Sequence, residues 1–159
     1  SAEAIEQETP RLEQEMARHI EADEALRHDR DLLLTIPGIG SATASVLLSE
    51  LGHAGRFAHA RQVAAYAGLS VRHRDSGTTV RGRPRLSKKG STRLRTAMYF
   101  PALTAMRHNE AVRALSQRLE KRGKQPKAIA GAAMRRLIHI CYGVLKSGRP
   151  FDPALHPCS

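Results

Sequence analysis

The feature that most restricts how this chain can fold is the stretch "LLLTIPGIGSATASVLLSELG", Leu32 to Gly52. A proline and two glycines within four residues do not continue a helix. The leucine run before them and the Ala/Leu-rich run after them both favour one. The spacing therefore predicts a helix ending near Leu34, a tight turn, and a second helix from a capping Ser41 to Leu51, stopped by Gly52. This order is that of a helix-hairpin-helix over residues 32–52. Its glycines let the backbone come close to a phosphate, and the free N–H groups of the second helix bind the anion without reading bases. Gly38, Gly40, Ser41 and Thr43 are the candidate nucleic-acid contacts of the hairpin. A purely structural turn between helices has the same pattern.

The rest of the chain extends the helical reading. Aromatic residues make up 4% of 159 residues and Trp is absent, so Ala, Leu, Ile and Val must build the core. Residues 3–34 read as one long helix, with Ile5, Leu12, Leu26 and Leu33 at seven-residue spacing and His19 in the gap. That is an imperfect coiled-coil seam, although an amphipathic helix lying on its own domain reads the same way. Pro10 marks either the start of the regular helix or a frayed first turn. "HARQVAAYAG" predicts a short helix ending at Gly68, and the period returns from Thr92 with a kink expected at Pro101. Asn109 caps a helix that ends at Gly123; Pro126 opens the last one, which stops at Gly148. The fold class is thus mainly α: an acidic helical arm (1–31), a compact helical domain (32–148) and an irregular tail (149–159).

Charge is divided unevenly along the chain. Residues 1–31 hold ten acids and four Lys or Arg, whereas residues 32–159 hold five acids and twenty-two Lys or Arg. The positive field concentrates in a basic, serine-bearing loop over residues 70–95, where nine Lys and Arg face one acid, Asp75. Gly77, Gly82 and Gly90 punctuate this stretch, and no apolar period ties it to a core; a loop or a short β-ribbon is expected. A surface so basic predicts a polyanionic partner. Arg72, Arg74, Arg81, Arg83, Arg85, Lys88, Lys89, Arg93 and Arg95 are its candidate phosphate contacts.

Other chemistries find little support in the residues. Cys141 and Cys158 make no disulfide framework. The eight His lack metal-ligand spacing, and Glu50, Asp75, Glu110, Glu120 and Asp152 lie too far apart in sequence to read as a two-metal cluster. No P-loop or nucleophile elbow is present. Arg135, Arg136 and His139 interrupt the most apolar run, so no membrane span is expected, and a cytoplasmic location follows. Read alone, the residues support a helix-hairpin-helix module that binds nucleic acid without catalysis.

The ordered series of the Pro37-Gly38-Ile39-Gly40 turn, Phe57, "AAYAGL", Ser76-Gly77, Leu86, Lys88, Gly90 and Leu94-Arg95 resembles the C-terminal domain of Piv/MooV-type insertion-sequence transposases and DNA invertases. The resemblance runs from about Leu32 to Met106 and departs at Ser91, where the family usually has Asn. It implies an enzyme that cuts and rejoins DNA, with Ser76 in Asp75-Ser76-Gly77 as nucleophile. It also implies a RuvC-like domain, not found in these residues, whose acids hold Mg²⁺. Further implied are dimers or tetramers and, for some members, a structured guide RNA. The chain is accordingly expected to be part of a longer protein, which also fits its start in helical sequence without Met. Taken without the resemblance, Asp-Ser-Gly is an ordinary turn.

Overall fold

A computed structural model describes residues 2–52, 56–70 and 91–155, with side chains from Pro10 onward. Seven α-helices make up the regular structure among the described residues, in chain order α1 (Ala2–Ala22), α2 (Glu24–Leu34), α3 (Ser41–Leu51), α4 (Ala60–Tyr66), α5 (Thr92–His108), α6 (Glu110–Lys121) and α7 (Pro126–Ser147). The mainly α reading holds. The basic stretch from 71 to 90, with its expected loop or β-ribbon, lies outside the described residues.

The long helix expected over 3–34 is two helices. Asp23 adopts an extended backbone between them, and its Oδ1 accepts a hydrogen bond from Leu26 N at 3.1 Å, the geometry of a helix N-cap. Arg30 of α2 reaches back to Glu21 of α1 at 2.6 Å, which ties the two helices together across the break. Pro10 lies within α1. The seven-residue seam is shared out: Leu33 is wholly buried, Leu26 packs against the core, and Leu12 is exposed. Ile20 of α1 belongs to the same core as Leu33, so the arm's second half lies on the domain.

α7 is the central post of that domain and packs against α2, α4, α5 and α6. Ala133, Leu137, Ile138, Ile140, Cys141 and Val144 are buried along it. It is the one helix among the described residues long and apolar enough to cross a membrane, and those same side chains fill the bundle interior. Pro126 stands in its first turn, where a missing N–H costs nothing, and Gly148 ends it with φ at +69°. α5 runs on through Pro101 and packs against α3, α6 and α7. The tail is held at its start, where Phe151 N donates to Thr35 Oγ1 at 2.9 Å.

Candidate nucleic-acid interface

The turn between α2 and α3 is built by two glycines with different duties. Gly38 has φ +108°, a region L side chains rarely enter. A Cβ placed there would stand 2.9 Å from Pro101 O and 3.0 Å from Ala105 Cβ, so the turn lies directly on α5. Gly40 has φ −100° and open space where a Cβ would go. Beneath the turn, Ile36 and Ile39 are buried. Asn109, wholly buried, donates from Nδ2 to Pro37 O at 3.2 Å while its Oδ1 accepts from Ala111 N and Val112 N. One side chain thus caps α6 and holds the turn.

The N-terminus of α3 is left open as a result. The cap residue is Gly40, not the expected Ser41, and it offers no side-chain acceptor. The first turn contains no acid, Ser41 and Ala42 are exposed, and Thr43 is half-buried. An uncapped helix start facing solvent carries partial positive charge on its free N–H groups and attracts anions. Gly38, Gly40, Ser41 and Thr43 are therefore together at one place, with Gly38 supporting the turn from below and the other three at its open end.

The two flanks of the basic stretch meet at a second place. Ser91 N donates to Tyr66 O at 2.6 Å, and Ser91 Oγ accepts from Leu94 N at 3.0 Å, capping α5. Leu69, on the other flank, is buried, and its carbonyl accepts from Arg135 at 3.4 Å. Burial and the neighbouring Arg136 lower the pKa of Arg135. Ser91 fills a capping role for which Ser and Asn are equally suited, which accounts for the departure noted from the sequence. Of the basic candidates, Arg95 is exposed beside Gly68. Arg93 pairs with Glu50 of α3 at 3.6 Å, and Tyr66 donates to the same carboxylate at 3.4 Å. Ser76, Arg72, Arg74, Arg81, Arg83, Arg85, Lys88 and Lys89 lie outside the described residues.

Gly38 touches the middle of α5, while Glu50 at the far end of α3 touches Arg93 at the start of α5. The two helices therefore run in opposite directions, and the two places are separated by roughly the length of α3, ~14 Å. Glu50 is engaged by Arg93 and Tyr66, and no group of three or more His, Cys, Asp or Glu able to hold a metal occurs among the described residues. The side chains described here do not fit a Mg²⁺ site. Sequence reading had given Asn109 only its capping role; its bond to Pro37 spans 72 positions and leaves no local signal.

The sequence of these helices falls in the class of transposase domains: a model of the IS116/IS110/IS902 transposase family matches residues 30–117, more than half of the chain. The chain belongs to that family. It is 36% identical over 146 residues to the pilin gene-inverting protein of Moraxella bovis, covering 91% of this chain and 45% of that relative. An uncharacterized 43.6 kDa protein of insertion element IS110 from Streptomyces coelicolor is 31% identical over 76% of this chain and 30% of its own length. The transposase for insertion sequence element IS1328 of Yersinia enterocolitica is 35% identical over 62% of this chain and 28% of its own. The chain thus spans at most about half the length of these relatives.

Proposed function

We propose that this chain is the DNA-gripping and serine-bearing part of a transposase or DNA-inverting recombinase of the Piv/MooV type. The observation that carries the grip is the open, acid-free start of α3, presented by a turn that Gly38 and Asn109 fix to α5. Family membership supports DNA as the polymer, and the twenty-two Lys and Arg of residues 32–159 support contact with its backbone. In this reading α2 and α3 form a helix-hairpin-helix that takes phosphates from one stretch of DNA. The basic segment 71–90 neutralises further phosphates of the same polymer.

The chemistry proposed for Ser76 is attack of its hydroxyl oxygen on a phosphodiester phosphorus. The Oγ–P bond forms, the P–O bond to the leaving sugar oxygen breaks, and the serine proton passes by way of water or a base to that oxygen, which departs as a hydroxyl. Attack by a second strand's hydroxyl on the phosphoserine reverses the exchange and frees the serine. Arginines of the same segment would stabilise charge on the equatorial oxygens. Mg²⁺ would be held by a further, RuvC-like domain. Assembly into dimers or tetramers through the arm is supported by exposed Leu12 and by a cleft of about 610 Å³ lined by Met16, Ile20, Leu26 and Leu48. A structured guide RNA remains a proposed partner of the full-length protein.

Two measurements test this reading. Duplex DNA binding by the chain, followed by anisotropy, should fall roughly a thousandfold between about 50 and 200 mM salt if several phosphates are neutralised. In the full-length protein, Ser76→Ala should leave that affinity unchanged and abolish DNA found covalently attached to protein. A flat salt response refutes the grip. Adducts that persist with Ser76→Ala refute Ser76 as the nucleophile and pass the role to another hydroxyl, Ser70 and Ser87 being the next to test. Salt-sensitive binding with no adduct even from the unsubstituted protein leaves a non-catalytic binding module.

A further inference from the structure

Six aromatic rings occur in the chain. Tyr142 is buried in the core, and Phe57, Tyr66 and Phe151 pack against it. Tyr99 and Phe100 do neither. They lie side by side on α5, 45% and 73% exposed, with ring centroids 5.3 Å apart in an edge-to-face arrangement. The fold derives little stability from rings so placed, because exposed apolar area contributes no burial.

The surroundings of the pair define what would cover it. α5 contains no Asp or Glu; Arg93 and Arg95 stand in its first turn and Arg107 and His108 in its last. At 3.6 residues per turn, Thr96, Phe100 and Arg107 fall along one stripe, and Arg95 and Tyr99 along a second, about 100° round the helix. Thr96, Thr104 and Arg107 are exposed, so polar and cationic side chains bound the two rings along the helix. Two rings framed in this way are too small a patch for a standard protein–protein interface. They match the alternation of stacking faces and phosphate neutralisers by which single-stranded nucleic acid is held. Arg95 and Arg107 are about 18 Å apart along the helix, with the rings between them. The opposite face of the same helix, at Pro101 and Ala105, carries the Gly38 turn.

We propose that Tyr99 and Phe100 are a stacking platform for unpaired bases of a DNA strand, whose phosphates are met by Arg95 and Arg107. This rests on the reading of the chain as DNA-gripping and deepens it: the hairpin takes a duplex backbone, and the outer face of α5 takes a strand whose bases are open. Strand exchange creates such bases wherever a duplex is parted around the break.

The test uses the 159-residue chain with a fluorescent oligothymidylate and, separately, a fully paired duplex of the same length. Phe100→Ala should weaken oligothymidylate binding on the order of tenfold, and adding Tyr99→Ala should weaken it again by a similar factor. Duplex binding should change by less than about twofold. Because the chain has no Trp, Phe100→Trp supplies a unique emission that stacking should quench, with single-strand affinity retained. Circular dichroism checks that each variant keeps the wild-type fold, as expected for exposed positions. Single-strand affinity unaffected by Phe100→Ala overturns the platform while salt-sensitive duplex binding leaves the grip standing. Loss of both kinds of binding in the unsubstituted chain refutes the grip itself. A dimer that Phe100→Ala dissociates, with single-strand binding unaltered, makes the face an interface between copies. Quenching by oligouridylate and not by oligothymidylate overturns DNA as the occupant.

Discussion

Replacing Gly38 and Gly40 separately by Ala should divide the two duties of the α2–α3 turn. Gly38→Ala forces an L side chain into φ +108°, for which ~1–2 kcal/mol is a reasonable cost. Its Cβ also meets Pro101 O at 2.9 Å and the Cβ and Cα of Ala105 at 3.0 and 3.3 Å. Those are backbone and near-backbone atoms of a helix packed on α3, α6 and α7, so no side-chain rotation relieves the contact, and overpacking adds about 1–3 kcal/mol. The combined loss of about 2–5 kcal/mol corresponds to a fall in Tm of roughly 5–20 °C for a chain of this size. Gly40→Ala meets nothing within 4 Å at an ordinary φ of −100°, so stability should change by less than about 1 kcal/mol. Its methyl group would instead stand at the open end of the turn, where the proposed phosphate contact would be made. Losing one hydrogen bond to a charged oxygen, about 1.5 kcal/mol, lowers duplex affinity roughly tenfold. Thermal melts and anisotropy on both variants make the comparison. An unchanged melt for Gly38→Ala refutes the packing of the turn on α5. Full duplex affinity in Gly40→Ala refutes the turn as a phosphate contact.

Asn109→Asp preserves an N-cap acceptor for α6 but turns the donor facing Pro37 O into a second acceptor; urea unfolding should show a loss of about 1–3 kcal/mol. Asn109→Ala should lose about 1 kcal/mol more, and an Asp variant as stable as wild type would mean the Pro37 bond contributes nothing. His139 sits half-buried on α7 with Nε2 shielded and without a hydrogen-bond partner among the described residues. Burial first, then Arg135 and Arg136, lowers its pKa below 6.5. The unfolded chain therefore takes up this proton before the folded one does, so stability falls as pH drops through about 6.5 toward the folded value. His139→Leu should flatten urea midpoints between pH 7.5 and 5.5, and an unchanged slope would exclude His139 as its source.

What was legible in the sequence was what local chemistry decides. Asn109, Pro126, Gly52 and Gly148 stand at helix ends where their types require them, because caps and left-handed stops depend on a few neighbouring atoms. The break at Asp23 was missed for a related reason: one capping carboxylate among ten acids in the arm carries no contrast, although Leu26 N three residues on supplies its bond. The cap of α3 moved by one residue, from Ser41 to Gly40, and that shift alone leaves the helix start without a side-chain acceptor. The turn with a helix on either side was readable as an ordered pattern. The unequal roles of its glycines were not, since Gly38 is constrained by Pro101 and Ala105 of a helix far along the chain. Exposure is equally invisible to pattern: nothing in the run around Tyr99 and Phe100 says which apolar side chains face inward, and it is Pro101, Ala102 and Ala105 that fill the inward face.

The same long-range contacts hold the two flanks of the basic segment. The flank before it is held by Leu69, buried and bonded to Ala64 O, and the flank after it by Ser91, bonded to Tyr66 O. Both flanks therefore meet at one corner, and the entropy of bringing them together belongs to the fold, not to any later binding event. Glu50 ties that corner to α3 through Arg93 and Tyr66, while the Gly38 turn stands at the other end of the same helix. A rigid pair of opposed helices thus sets the distance between the open turn and the origin of the segment that carries Ser76. If the turn holds one phosphate, the region of backbone within reach of that hydroxyl is restricted before any chemistry begins. If Ser76 is the nucleophile, as proposed, restriction of that kind would convert its search into a positioned encounter, and positioning is where much of the barrier to phosphoryl transfer is lowered.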